Sequence, residues 1–179
     1  MILFHKLKPK KIQQKLPRKN NMTLEINSPA PLFTLPSDEG SLFNLSELKG
    51  KFVVIYFYPK DDTPGCTIEA QDFSKKLPEF EKFDCVIAGI SRDNVESHCK
   101  FINKFKLSIP LLSDENGDVC KLYEVLKEKS MFGKKYIGID RTTILIDKIG
   151  KILKIWNNVK VKGHVDEVLK ELEKHLKSS

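Results

Sequence analysis

The stretch Phe52-Val-Val-Ile-Tyr-Phe-Tyr58 constrains the fold more than any other part of the chain. It is the longest apolar run, dense in β-branched and aromatic residues, and its length is that of a buried strand. Pro59 ends it, and a short polar loop leads through Thr63-Pro-Gly65 to Cys66. A strand of this kind needs a sheet to receive it and helices to cover it. The run falls well short of the roughly 18 to 20 apolar residues that cross a bilayer. A soluble protein without a membrane partner is therefore expected, and its unpaired cysteines suit a reducing, cytoplasmic compartment.

The rest of the pattern supplies the partners of that strand. Pro31-Leu-Phe-Thr-Leu35 and Ser41-Leu-Phe-Asn-Leu45 predict a short hairpin closed by Asp38-Glu-Gly40. A helix is predicted from near Cys66 toward Lys76, and Cys85-Val-Ile-Ala-Gly-Ile90 predicts a second buried strand. Asp93 or Asn94 can cap a helix through Phe105 whose inner stripe is Val95, Cys99, Ile102 and Phe105. Ile109-Pro-Leu-Leu112 predicts an edge strand, and Asp114 to Leu122 a short helix. Residues 141–147 and 151–156 alternate as a hairpin turned at Lys148-Ile-Gly150, and His164 to Leu176 forms an amphipathic closing helix. Helices alternate with buried strands early, and an antiparallel hairpin finishes the sheet. That order predicts an α/β chain with a thioredoxin-like fold, a mixed central sheet flanked by helices. The chain of 179 residues suits one such domain, assigned to residues 22–179.

The net charge of +7 is local. Residues 1–21 hold Lys6, Lys8, Lys10, Lys11, Lys15, Arg18 and Lys19, and neither Asp nor Glu. Removing those seven from the 31 Lys and Arg leaves 24, against 24 Asp and Glu. Residues 1–21 therefore read as a basic disordered extension, with Met22 as an alternative start. The segment lacks Ser and has one Arg, which argues against an organellar transit peptide. A nucleic-acid binder would carry the excess on its folded surface, so no nucleic-acid partner is expected.

The four cysteines, Cys66, Cys85, Cys99 and Cys120, show no Cys-x-x-Cys and no paired spacing, and the four histidines are scattered. Neither a disulfide framework nor a zinc site is expected, and nothing calls for a cofactor. Cys66 stands apart. Thr-Pro-Gly delivers it to a helix start, where unpaired backbone N–H groups and the positive helix end favour a thiolate. The Thr63 hydroxyl, three residues earlier, is within reach of the same atom, and Pro59 and Pro64 restrict the loop.

The passage Pro59-x-x-x-Thr63-x-x-Cys66 resembles the active-site signature of the peroxiredoxins. The wider Tyr58-Pro-Lys-Asp-Asp-Thr-Pro-Gly-Cys-Thr-x-Glu-Ala70 is similar to the bacterioferritin co-migratory protein group, also called peroxiredoxin Q. The likeness continues through Gly89-Ile-Ser-Arg-Asp93, Pro110-Leu-Leu-Ser-Asp114, Glu128-Lys-Ser-Met-Phe-Gly-Lys134 and Gly138-Ile-Asp-Arg-Thr-Thr143, covering roughly residues 24–176. The resemblance implies a thiol peroxidase acting on hydrogen peroxide and organic hydroperoxides. Cys66 would be the peroxidatic cysteine and pass through a sulfenic acid. Thr63 would hydrogen-bond the thiolate and the peroxide, Arg141 would stabilise the thiolate and the leaving oxygen, and Pro59 would shield the pocket. Glu69 reads as a group supporting that site, or as an ordinary first-turn helix acid. By the same resemblance the reductant is thioredoxin or a similar thiol, and the protein is a monomer or weak homodimer.

Many members of this group place a resolving cysteine five residues after the peroxidatic one, where this chain has Gln71. Cys85 and Cys120 read as packing residues. Cys99 lies one helical turn before Ile102, which aligns with a resolving position of some relatives, so resolution by Cys99 and plain core packing both fit it. Without it, an external thiol would reduce Cys66 directly. Two other functions compete. A thioredoxin-like disulfide oxidoreductase or thiol-dependent chaperone would want a second cysteine in Cys66-Thr-Ile-Glu69, and a nucleic-acid module would rest on the extension alone.

Overall fold

The computed structural model describes residues 24–177, so the extension 1–21 and Met22 lie outside the described residues. The chain opens on the expected hairpin, β1 (Thr34–Pro36) and β2 (Leu42–Asn44), followed by a 3-10 turn at Leu45–Leu48. The apolar run then forms β3 (Phe52–Phe57), buried throughout. Next come α1 (Pro64–Glu81), β4 (Cys85–Ser91), α2 (Val95–Phe105), β5 (Leu111–Ser113) and α3 (Asp118–Leu122). A second hairpin, β6 (Leu126–Met131) and β7 (Lys134–Ile139), precedes β8 (Thr142–Ile146), β9 (Ile152–Trp156) and α4 (His164–Lys177).

The main sheet has the order β5-β4-β3-β8-β9. β3 runs parallel to β4, and β4 to β5, whereas β8 pairs antiparallel with both β3 and β9. This is the mixed sheet of a thioredoxin-like fold. Alternation along β3 divides the core in two. Phe52, Val54 and Tyr56 pack with Phe73, Phe101 and Val168 of the long helices. Val53, Ile55 and Phe57 pack on the other face with Phe33, Val119 and Tyr123. The first hairpin also covers the β5 edge, where Asp38 N–H donates to the Leu111 carbonyl and Leu111 N–H to Asp38 Oδ1, both at 3.0 Å.

Several details differ from expectation. The helix expected from Asp114 starts at Asp118, and the Asp114 carboxylate instead accepts from the Val119 and Cys120 N–H groups. α1 begins at Pro64 and continues past Lys76 to Glu81. Proline costs nothing at the first helical position, where the N–H has no helical partner. The β6–β7 hairpin has no counterpart in the expected elements, because Lys127-Glu-Lys-Ser-Met131 offers too few apolar positions to show a strand period. In α2 the fully buried residues are His98 and Phe101, and all four residues of the expected stripe are half-buried, Ile102 and Phe105 packing against the core. A hydrophobic pattern discounts histidine, and here both ring nitrogens have polar partners, which lets His98 take the inner position.

Gly89 in β4 marks the tightest packing in this core. A Cβ there would lie 2.6 Å from Tyr56 Cζ and 2.9 Å from Leu111 Cδ2, both held in the buried interior. Gly89→Ala should therefore destabilise the protein by about 1–3 kcal/mol or more in urea unfolding, and an unchanged midpoint would show that Tyr56 can move aside.

Candidate active site

Cys66 is the third residue of α1. Thr63 occupies the N-cap with extended backbone (φ −99°, ψ 155°), Pro64 opens the helix, and the Thr67 N–H makes a 2.9 Å bond to the Thr63 carbonyl. The Gly65 and Cys66 amides precede that bond and have no intrahelical acceptor. They and the helix dipole put the positive end of α1 beside the buried sulfur.

Arg141, just before β8, meets Cys66 from the sheet. Its Nη2 lies 3.4 Å from Cys66 Sγ, and its Nη1 lies 3.2 Å from Glu69 Oε2. Residues three apart share a helix face, so α1 offers sulfur and carboxylate to one guanidinium. Burial opposes the arginine's charge, but Glu69 and Cys66 outweigh it and hold Arg141 above its ordinary value. Gly65 makes the approach feasible, since a Cβ there would lie 3.1 Å from Nη2. Glu69 is fully buried, and burial pushes its carboxyl up to about 7 against the pull of Arg141. Its Oε1 has no hydrogen-bond partner among the described residues.

Thr63 does not make the expected contact. Its hydroxyl donates to the Lys60 carbonyl at 2.8 Å, because the loop turns back and presents that carbonyl three residues earlier. Its lone pairs are what it has to offer a ligand. Pro59 is exposed. With Thr63 it borders a cleft of about 840 Å³ whose far wall is the β6–β7 hairpin.

The loop between Pro59 and Thr63 is held by residues that sequence reasoning missed. Asp61 Oδ1 accepts from the Tyr58 hydroxyl at 2.6 Å, and Oδ2 accepts from the Ser97 hydroxyl at 2.8 Å. His98 Nδ1 lies 2.8 Å from the same Oδ2, and His98 Nε2 lies 3.0 Å from the Leu112 carbonyl. A carbonyl only accepts, so Nε2 carries a hydrogen. Asp61 and His98 are both buried, and together they fasten the loop to α2. Only spacing hinted at this, with Asp61 two residues before Thr63 and His98 next to Cys99.

All four cysteines are free. Burial pushes the Cys85 thiol up to about 12, and burial together with Asp114 pushes the Cys120 thiol far up as well. Cys99 is half-buried and donates its thiol hydrogen to the Asp38 carbonyl at 3.0 Å. Gln71 is half-buried on α1.

Residues 26–155 match the model of the AhpC/TSA family. A putative peroxiredoxin bcp of Coxiella burnetii is 51% identical over 151 residues, 84% of this chain and 100% of that protein. Peroxiredoxin Bcp of Bacillus subtilis is 48% identical over 152 residues, 85% of this chain and 97% of its own. The chain belongs to the AhpC/TSA family, in its Bcp peroxiredoxin group. Solved peroxiredoxins share the fold as well. A Cys-to-Ser mutant of Xylella fastidiosa PrxQ has a TM-score of 0.82 at 38% identity, covering 86% of this chain and 98% of that one. The Xanthomonas campestris bacterioferritin comigratory protein, described for its alkyl peroxide reduction activity, has a TM-score of 0.76 at 44% identity, covering 80% and 91%. This Bcp-group peroxiredoxin is thus a thiol-dependent peroxidase, acting on peroxides at the expense of a thiol reductant.

The buried Glu69 carboxyl gives a pH signature. Its proton is held more tightly in the folded than in the unfolded chain, so its contribution to stability falls as pH rises from 4.5 to about 7. Glu69→Gln removes that loss. Across this window, urea unfolding should shift in favour of the variant by up to about 3 kcal/mol, whereas a pH-independent difference would contradict the buried proton.

Proposed function

We propose that Cys66 is the peroxidatic nucleophile for hydrogen peroxide and organic hydroperoxides, activated by Arg141 at the start of α1. The 3.4 Å approach of Nη2 to Sγ carries this reading. The thiolate attacks the terminal oxygen of the hydroperoxide, which keeps its hydrogen and leaves as part of a sulfenic acid. The O–O bond breaks with its electron pair on the departing alkoxide, or hydroxide for hydrogen peroxide, which takes a proton from water. Arg141 faces the charge that develops there, the setting in which fixed donors contribute most. Thr63 accepts the hydrogen bond of the incoming peroxide, because its own hydroxyl hydrogen is committed to Lys60. Pro59, which borders the cleft with Thr63, limits the access of water.

Recycling is assigned to Cys99. Exchange needs a thiolate, and burial holds the Cys85 and Cys120 thiols neutral. Cys99 lies outside the packed core and gives up one hydrogen bond to be released. Its thiolate attacks the sulfur of the Cys66 sulfenic acid, the S–O bond breaks and a disulfide forms, and the departing hydroxide takes up the proton that Cys99 released and leaves as water, after the first turn of α1 has unwound to expose the buried sulfur. A thioredoxin-class dithiol then reduces the disulfide. The enzyme is assigned to the cytoplasm, where thiols stay reduced, and acts as a monomer or weak homodimer. The disulfide-oxidoreductase alternative still lacks a second cysteine in Cys66-Thr-Ile-Glu69.

Two outcomes test these roles. Cys66→Ser should abolish peroxide turnover, and retained turnover would refute the nucleophile. After one equivalent of peroxide, mass spectrometry of the wild type should show a crosslink between Cys66 and Cys99. A persistent sulfenic acid, equally abundant in Cys99→Ser, would instead assign reduction to an external thiol.

A further inference from the structure

The tip of the β6–β7 hairpin displays an aromatic ring in a backbone conformation that disfavours it. Phe132 has φ +51° and Gly133 φ +76°, a two-residue turn with both central residues left-handed. Asn-Gly is the usual occupant of such a turn, and a bulky side chain is strained there. Phe132 is nonetheless 98% exposed, so no internal packing compensates the strain. Strain without internal return points to a role outside the molecule. Met131, Tyr136 and Ile137 are also exposed beside it.

The charge around this tip is mainly positive. The hairpin carries Lys127, Lys129, Lys134 and Lys135, and Lys60 and Arg92 line the cleft beneath it. Its one acid, Glu128, pairs with Lys135 at 3.3 Å and Lys129 Nζ donates to the Ile139 carbonyl, which leaves Lys127, Lys134, Lys60 and Arg92 as the cations without such a partner among the described residues. The occupant of this surface is therefore anionic and apolar together. The exposed Phe132, Met131 and Tyr136 would suit a protein interface as well as a lipid one, but protein interfaces deplete lysine, and five of these six cations are lysines. Lysines ringing an aromatic tip suit a lipid surface, where the ring enters the headgroup boundary and the long amines remain among the phosphates.

We propose that the β6–β7 hairpin is a peripheral docking element for bilayers with anionic headgroups, with Phe132 and Met131 as the inserted residues. Among the described residues no helix is long and apolar enough to cross a membrane, so the contact is superficial. It revises the expectation of no membrane partner, which rested on the lack of a spanning run. Docking would turn the cleft bordered by Pro59 and Thr63 toward the headgroups; only this consequence rests on Cys66 as the peroxide site.

The test uses the full chain carrying Phe132→Trp, with phosphatidylcholine vesicles, with or without phosphatidylglycerol, whose acyl chains are brominated. The chain has one native tryptophan, Trp156, whose indole N–H donates to Glu167 at 3.0 Å, so the wild type supplies the background. The indole introduced at position 132 should shift to the blue and be quenched on phosphatidylglycerol vesicles, less so at high salt. Phe132→Ser should weaken co-sedimentation at least about tenfold. Bound protein with an unquenched indole would assign binding to the seven cations of residues 1–21 and overturn the proposal. Absence of vesicle binding would overturn it too. So would an unquenched indole combined with a Phe132→Ser loss of affinity for a protein dithiol, which would give the surface to a protein.

Discussion

One guanidinium shared between a sulfur and a buried carboxyl is the interaction on which the rest of the site depends. Arg141 can reach Cys66 because Phe57, the last residue of β3, pairs with Thr142, the first of β8. The antiparallel register thus brings the start of β8 beside the loop that feeds α1. A purely parallel sheet would deliver the arginine to the opposite end. Gly65 then leaves room for the guanidinium, and the three-residue spacing of Cys66 and Glu69 turns both groups toward it. The mixed sheet is what brings the guanidinium to the sulfur.

The same arrangement carries a cost. A carboxyl that titrates near 7 inside the protein is a poor contributor to folding, and its Oε1 has no hydrogen-bond partner among the described residues. The partner that offsets its burial is Arg141, whose Nη1 lies 3.2 Å from Oε2. When Glu69 is protonated the full positive charge is available to the sulfur, and when it ionises the two groups divide that charge. Burial sorts the other thiols in a similar way. Cys85 and Cys120 are silenced by the core, and Cys99 stands at its margin with a single carbonyl partner.

Local features were legible in the sequence, and long-range polar ones were not. The β3 run, the strand of Cys85 and the helix start at Cys66 follow from hydrophobic period and from Pro and Gly placement. Arg141 lies 75 residues from Cys66, and only the family resemblance connected them. The Asp61–His98 pair escaped because a buried polar pair leaves no mark on a hydrophobic pattern. The β6–β7 hairpin escaped because its strands are charged. Sequence spacing puts the Thr63 hydroxyl within reach of the sulfur, but only the folded loop shows the Lys60 carbonyl that takes its hydrogen.

The central claim is that the charge of Arg141 makes Cys66 reactive. Stopped-flow measurement of Cys66 oxidation by hydrogen peroxide, in wild type and in Arg141→Met, tests it most directly. The account predicts a second-order rate constant lower by at least about a hundredfold in a variant that remains folded by circular dichroism. A folded variant that oxidises Cys66 at the wild-type rate would contradict it.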